Sequence, residues 1–285
     1  MSTTMQTTMF SEIDMGDWGK VKNCHVVYQP RGRAAEYARL ACNPYRGCGH
    51  GCVYCYAPSA IFTSRDDFHD NPKPRKDILH KIERDARKYQ AAHIHEPVLL
   101  CFTCDPYQPL DDRERLTRST IEILHAHGLP VQILTKGGHR SLRDIDLLGE
   151  GDKYAATLTL LDDEESAIWE PNAAPPSERI DALRTMHDEG IETWVSLEPV
   201  LYPDVSQEII RRTYPFVDMY KVGVLNYVGS LPASLRTQVE GVDWRTFGES
   251  AIALLETYGY EDVGESPGAP RRYYIKDDLR DHLVS

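Results

Sequence analysis

One short loop concentrates the reactive side chains of this 285-residue chain. The segment Asn43-Pro-Tyr-Arg-Gly-Cys48-Gly-His-Gly-Cys52-Val-Tyr-Cys55-Tyr56 carries three cysteines in C-x3-C-x2-C spacing, interleaved with Gly47, Gly49 and Gly51. Glycine adopts left-handed backbone angles without a Cβ clash, so such a loop can turn three thiols toward one point. Thiolates are soft ligands that suit zinc or iron–sulfur clusters.

Four readings of the loop compete. Structural zinc takes four ligands, commonly in two-plus-two spacing. Here the fourth would be His50 or a distant cysteine, and Cys101-x2-Cys104 is the only other pair. A redox pair uses two thiols and leaves Cys48 idle. Inert buried cysteines have no need of three glycines. A four-iron cluster normally has four cysteine ligands. Held by three, it keeps one iron open, as catalytic metal sites do, and an open iron binds a substrate or cofactor directly. The other cysteines (Cys24, Cys42, Cys101 and Cys104) bring the total to seven and form no second compact loop. An odd, scattered set in a chain of this size does not suggest a disulfide framework.

Positioning these groups requires a scaffold, and the chain alternates short apolar runs with amphipathic stretches. Strands are expected at Ala38–Cys42, Val98–Thr103, Val131–Thr135, Tyr154–Leu160, Thr193–Leu197 and Tyr220–Leu225. Helices are expected between them. One carries Ile78, Ile82 and Ala86 on a face, and one opens at Asp111 with Glu114 three residues on and stops at Gly128. A short one runs from Ser141 to about Gly149, and others cover Glu178–Glu189, the stretch after Ser206, and Trp244–Tyr258. Six β–α alternations with short connections imply a parallel sheet with helical crossovers, either open or closed into a barrel or partial barrel. Both closures put the chemistry at the C-terminal strand ends. The cysteine loop, Asp105, Lys136 and Glu198 all follow expected strands. Arg118, Glu170 and Arg179 are further candidates for the mouth. No repeat or low-complexity tract interrupts the pattern.

Charge narrows the partners. Lys plus Arg is 32 against 44 Asp plus Glu, a net charge of −12, which argues against a general polyanion binder. The net-positive stretch 73–89 is either a solvated helix face or a local phosphate-contacting wall. No window is apolar enough to span a membrane, and residues 1–20 have no basic start or apolar run, so the cytoplasm is the expected location.

The cysteine loop, with aromatic Tyr54 directly before its last cysteine, resembles the radical S-adenosylmethionine enzymes. Three further segments extend the match: Arg31-Gly-Arg-Ala-Ala-Glu-Tyr, Thr103-Cys-Asp-Pro-Tyr-Gln-Pro and Thr117-Arg118. With the loop, they are similar to the spore photolyase-like branch of that superfamily, over roughly residues 30–225. The resemblance implies an α/β fold, a partial (β/α)6 TIM-type barrel. Its core would span 30–258, between an N-terminal tail (1–29) and a C-terminal extension packed on the core (259–285). It implies a [4Fe-4S] cluster on Cys48, Cys52 and Cys55 whose open iron chelates S-adenosyl-L-methionine. Reductive cleavage would then give a 5′-deoxyadenosyl radical that abstracts hydrogen from substrate. The electron would come from a flavodoxin- or ferredoxin-type donor. A DNA lesion or modified nucleotide is the implied substrate class. Modification of a peptide or metabolite, or a non-catalytic iron–sulfur module, are the alternatives.

Other roles carry over position by position. Thr103-Cys104-Asp105 matches the family's Thr-Ser-Asp turn at the cofactor's amino end, with Cys104 in place of Ser. Lys136 matches a lysine at the cofactor, and the strand-four hydroxyl maps to Thr157, with Thr159 next to it in phase. Tyr54 and Tyr56 match tyrosines that relay hydrogen. The family's hydrogen-donating cysteine, however, falls on Phe102. Strand alternation would put Cys101 on the face of Thr103 and leave Cys104 in the turn, where it can reach the mouth as a catalytic thiol.

Overall fold

The computed structural model describes residues 18–266 and 268–284, so most of the expected N-terminal tail lies outside the described residues. Eleven strands are formed: β1 (Val27–Tyr28), β2 (Leu40–Cys42), β3 (Tyr45–Arg46), β4 (Lys73–Pro74), β5 (Val98–Leu100), β6 (Val131–Thr135), β7 (Lys153–Thr157), β8 (Glu192–Leu197), β9 (Met219–Val222), β10 (Glu261–Asp262) and β11 (Arg272–Ile275). Strands β3 and β4 make a small antiparallel ribbon beside the cysteine loop. The other nine form one sheet in the order β1-β2-β5-β6-β7-β8-β9-β11-β10. Only the β1–β2 edge is antiparallel; from β2 to β10 every pairing is parallel.

Side-chain alternation shows that this sheet curls. Strand residues with period two point to one face. Leu40, Val98, Leu100, Ile133, Tyr154, Val195, Tyr220 and Ile275 pack outward with the surrounding helices. Their in-between neighbours Ala41, Leu99, Ala155, Trp194, Met219 and Tyr274 meet one another in a second cluster, with Leu134 against it. Residues from first to last parallel strand can share one interior only if the sheet wraps, so the fold is a partial barrel. The expected six strands are its wall.

The sequence reading misses some local detail. The second expected strand ends at Leu100, not Thr103, so alternation does not extend through Cys101–Thr103. The helix expected from Asp111 breaks at Arg115, which sits at φ 55° between Asp111–Glu114 and Leu116–Ala126. Asp111 is not a helix cap: its buried carboxylate takes the backbone N–H of Thr117 at 3.0 Å and the Tyr45 hydroxyl, and it pairs with Arg143. The stretch 73–89 lies outside the barrel and contributes nothing to the central cavity. Its Arg87 pairs with Glu83, and Lys88 binds the carbonyls of Lys22 and Asn23 at 3.1 and 3.0 Å. Among the described residues, no helix is long and apolar enough to cross a membrane.

The C-terminal residues do more than pack on the core, because β11 pairs in parallel with β9 and extends the barrel wall by a strand. Ile275 is fully buried there. Replacing Ile275 with Ala should therefore lower the unfolding free energy by about 2–5 kcal/mol in a urea melt. An unchanged midpoint would make this strand a mere appendage.

Candidate active site

At the C-terminal end of the barrel lies a cavity of about 440 Å³, within the roughly 300–1,000 Å³ typical of small-molecule sites. Cys48, Cys52 and Cys55 line it together, as do Tyr54, Tyr56, Thr103, Cys104, Asp105, Lys136 and Thr157. The loop cysteines and the residues expected to hold the cofactor therefore reach one space, whereas Arg118, Glu170 and Arg179 do not line it.

The cysteine loop is held from several sides. Gly47 (φ +87°) and Gly51 (φ +71°) take left-handed angles; a Cβ on Gly47 would come within 2.5 Å of the Phe68 carbonyl. Gly49 does not need such an angle, contrary to the expectation for all three glycines. Gln108 clamps the loop twice, accepting from Gly49 N at 2.8 Å and donating to the Gly47 carbonyl at 3.2 Å. Arg65 donates to the carbonyls of Cys52 and Cys55 at 2.8 and 3.0 Å. With the backbone so committed, the thiols are left facing the cavity. Burial pushes all three thiols up, Cys52 to about 12.

The loop after β7 forms the opposite clamp. Glu170 and Arg179, both essentially inaccessible, pair at 2.5 Å. Glu170 also accepts the Tyr54 hydroxyl and, at 3.2 Å each, the hydroxyls of Thr159 and Ser166. Arg179 donates to the carbonyls of Ala174 and Thr157 at 2.7 and 3.1 Å. Burial alone would raise the Glu170 carboxyl, but Arg179, Lys136 and these hydrogen bonds outweigh it and hold it at about 2. Tyr54 is thereby fixed as a donor to Glu170. Thr159 is spent on Glu170, so Thr157 is the strand-four hydroxyl that lines the cavity.

Asp105 ties two strand ends together. It accepts from Thr135 Oγ1 at 2.6 Å, Tyr107 N at 2.8 Å and Lys136 N at 2.7 Å. Its carboxylate is thus a structural pin under the Lys136 backbone. The Lys136 amine lies 5.6 Å from the Tyr54 ring centre and has no hydrogen-bond or ion-pair partner among the described residues. His50 is buried, with Nδ1 3.5 Å from Asp105 and Nε2 3.1 Å from Arg140. Burial lowers it to about 4, so it is neutral. Arg118 is not at the mouth; it is held outside by Glu122, Asp144 and Asp146.

The far wall holds groups that sequence reasoning missed. Lys276, directly after β11, pairs with Glu198 at 2.6 Å, and Tyr37 donates its hydroxyl to the same carboxylate. Burial would lower the Lys276 ammonium, but the Glu198 charge outweighs it and holds the pKa up. The run Arg-Arg-Tyr-Tyr-Ile before Lys276 is rich in strand formers, the one local signal for β11. At the rim stand exposed Tyr56 and Tyr227 with exposed Arg31 and Arg33.

Among the described residues, no three Cys, His, Asp or Glu side chains converge on a point that would hold a single metal ion.

Comparison with known proteins agrees with this geometry. The sequence profile of the Radical SAM superfamily matches residues 42–217, more than half of the chain. An uncharacterized protein of Methanocaldococcus jannaschii is 28% identical over 197 residues, covering 68% of this chain and 73% of that one. An uncharacterized protein of Mycobacterium tuberculosis is 29% identical over 59% of this chain, which spans only about half (51%) of that relative. Among solved structures, a spore photoproduct lyase variant with bound AdoMet and dinucleoside spore photoproduct superposes with a TM-score of 0.60. It is 13% identical and covers 84% of this chain and 76% of that one. SuiB of Streptococcus suis, bound to S-adenosylmethionine, gives 0.58 at 12% identity over 82% and 49%.

The Glu170–Arg179 pair makes the site sensitive to acid. A carboxylate held at about 2 when folded, against about 4.3 when unfolded, stabilises the fold above the unfolded value. That contribution is lost as pH falls from there toward 2. Glu170→Gln strands a buried guanidinium, so it should cost about 3–5 kcal/mol at neutral pH and remove this part of the acid dependence. Urea melts between pH 3 and pH 7 test it; parallel pH curves for both proteins would contradict the assignment.

Proposed function

The chain belongs to the radical SAM superfamily, and from that premise we propose that it holds a [4Fe-4S] cluster on Cys48, Cys52 and Cys55 and uses S-adenosyl-L-methionine for radical chemistry. One observation carries the reading: the three loop thiols share a cavity of about 440 Å³ with polar groups from several other strand ends. When bound, the cluster and its cofactor supply an electron and a carbon-centred radical that takes hydrogen from substrate.

The chain's own residues do the positioning. Lys136 presents an unpartnered ammonium beside Tyr54, suited to a charge-assisted bond with the cofactor's carboxylate. The Thr103–Asp105 turn offers its backbone and the Thr103 hydroxyl to the amino end, while Asp105 fixes the Lys136 backbone from below. Thr157 offers a hydroxyl from β7. Tyr54, bonded to Glu170, closes the wall behind the loop.

A nucleotide or DNA substrate is supported by the rim. Tyr56 and Tyr227 are exposed aromatic faces on which a base can stack, and Arg31 stands beside them to meet phosphate, while Arg33 is held by Asn226 at 3.0 Å and Asp278 at 3.6 Å. The acidic overall charge confines such binding to this patch. A flavodoxin- or ferredoxin-type donor would supply the electron. The reducing cytoplasm is the proposed location, since free thiols persist there.

The direct test is anaerobic reconstitution with iron and sulfide, then dithionite and S-adenosyl-L-methionine, with chromatography for 5′-deoxyadenosine. The product should form with the wild-type chain and vanish in Cys52→Ala along with the bound iron. A Cys52→Ala protein that keeps its iron and still cleaves the cofactor would refute the ligand set.

A further inference from the structure

We infer that Glu198 and Lys276 read the substrate together, offering an acceptor beside a donor to an amide edge (a carbonyl next to an N–H) such as the lactam face of a nucleobase. This rests on the nucleotide reading of the rim above. The groups proposed to hold the cofactor, Thr103–Asp105, Lys136 and Thr157, stand at the ends of β5, β6 and β7 and line one side of the cavity. Glu198 follows β8 and Lys276 follows β11, and both line the side those groups leave open. Nothing in the cofactor reading uses this pair.

The pair is built into the barrel wall. Lys276 Nζ donates to Glu198 Oε1 at 2.6 Å, and the Tyr37 hydroxyl donates to Oε2. Both carboxylate oxygens are thereby fixed from different elements. The Lys276 ammonium stands 4.9 Å from the Tyr37 ring centre and has no second hydrogen-bond partner among the described residues. An ammonium carries three N–H donors, so two remain for a ligand. Strand β9 lies between β8 and β11, and directly after it comes Gly223. A Cβ there would stand 2.9 Å from Lys276 Cδ and 3.3 Å from Glu198 Cδ. The glycine leaves the space in which the two side chains meet.

Charge selects the kind of group that fits. A buried ion pair adds little to stability once its desolvation is counted, so the fold alone does not call for this one. Its two charges cancel. A free anion entering here would face Glu198, and a free cation would face Lys276. A neutral group carrying both polarities meets neither penalty. An amide edge is such a group: its N–H donates to Glu198 while its carbonyl oxygen accepts from Lys276. Thymine, uracil and guanine present that edge on a flat ring. Tyr56 and Tyr227 line the same cavity with exposed rings, and stacking on them favours a base over a peptide group.

The test is binding by the reconstituted full-length protein, without reductant, read by fluorescence anisotropy. The probes are a labelled oligothymidylate and the same strand built from N3-methylthymine, which keeps the ring and loses the N–H. The wild type should bind the unmethylated strand at least about tenfold more tightly, the loss expected for one hydrogen bond to a charged group. Glu198→Ala combined with Lys276→Met removes both charges, so neither is left stranded. That variant should keep its iron and bind the two strands alike. Equal affinity of the wild type for both strands, no saturable binding of either, or discrimination that persists in the double variant overturns the assignment. The 5′-deoxyadenosine assay is scored separately. Product without discrimination strikes this pair alone and leaves the radical reading standing, whereas discrimination without product keeps the pair and strikes the radical reading.

Discussion

A buried carboxylate facing a buried guanidinium anchors the cysteine loop. Glu170 and Arg179 lie where neither charge reaches water, and each is stable only because the other is present. Arg179 rises from the helix Pro176–Asp188, and Glu170 directly follows the preceding helix Asp163–Trp169. Together they fix residues 158–175 against the barrel top. That loop in turn grips the cysteine loop, through Val53 N to the Trp169 carbonyl at 2.8 Å, Asn172 N to the His50 carbonyl at 3.0 Å, and the Tyr54 hydroxyl on Glu170.

The barrel explains why such devices gather at one end. Parallel strands leave their C-terminal backbone groups without ladder partners where each chain departs. Buried groups of this kind must be satisfied, and here side chains do it. Asp105 takes the N–H of Lys136, Asn43 takes those of Phe102 and Thr103, and Gln108 serves both polar groups of the Gly47–Gly49 stretch. The same pins that satisfy the backbone aim the remaining groups into the cavity. Positioning and folding are one problem at this end of the molecule.

Much of this was legible in the sequence, because it is local. The cysteine spacing and the six strand–helix alternations each occupy a short window, and the structure keeps their order, while Gly49, the end of the second strand and the break at Arg115 depart from the reading. What was not legible is long-range. Lys276 meets Glu198 across 78 residues and Asp85 receives the N–H groups of His25 and Val26 from 60 and 59 residues away; no spacing rule encodes such pairs. Glu170 and Arg179 were visible as mouth candidates, but not as partners. Asp111 shows the reverse error, where a local capping signal was overridden by the tertiary demand of Tyr45, Thr117 and Arg143. The bend at Cys101 likewise depends on Asn43, which strand alternation ignores.

The central claim is that the three-thiol loop holds a cluster with a coordination position open to S-adenosyl-L-methionine. Electron paramagnetic resonance of the reconstituted, dithionite-reduced protein tests it without knowledge of the substrate. The account predicts a reduced-cluster signal whose line shape changes when S-adenosyl-L-methionine is added, because the cofactor joins the open iron. A signal that stays the same at saturating cofactor, in a protein carrying its full iron, would contradict it.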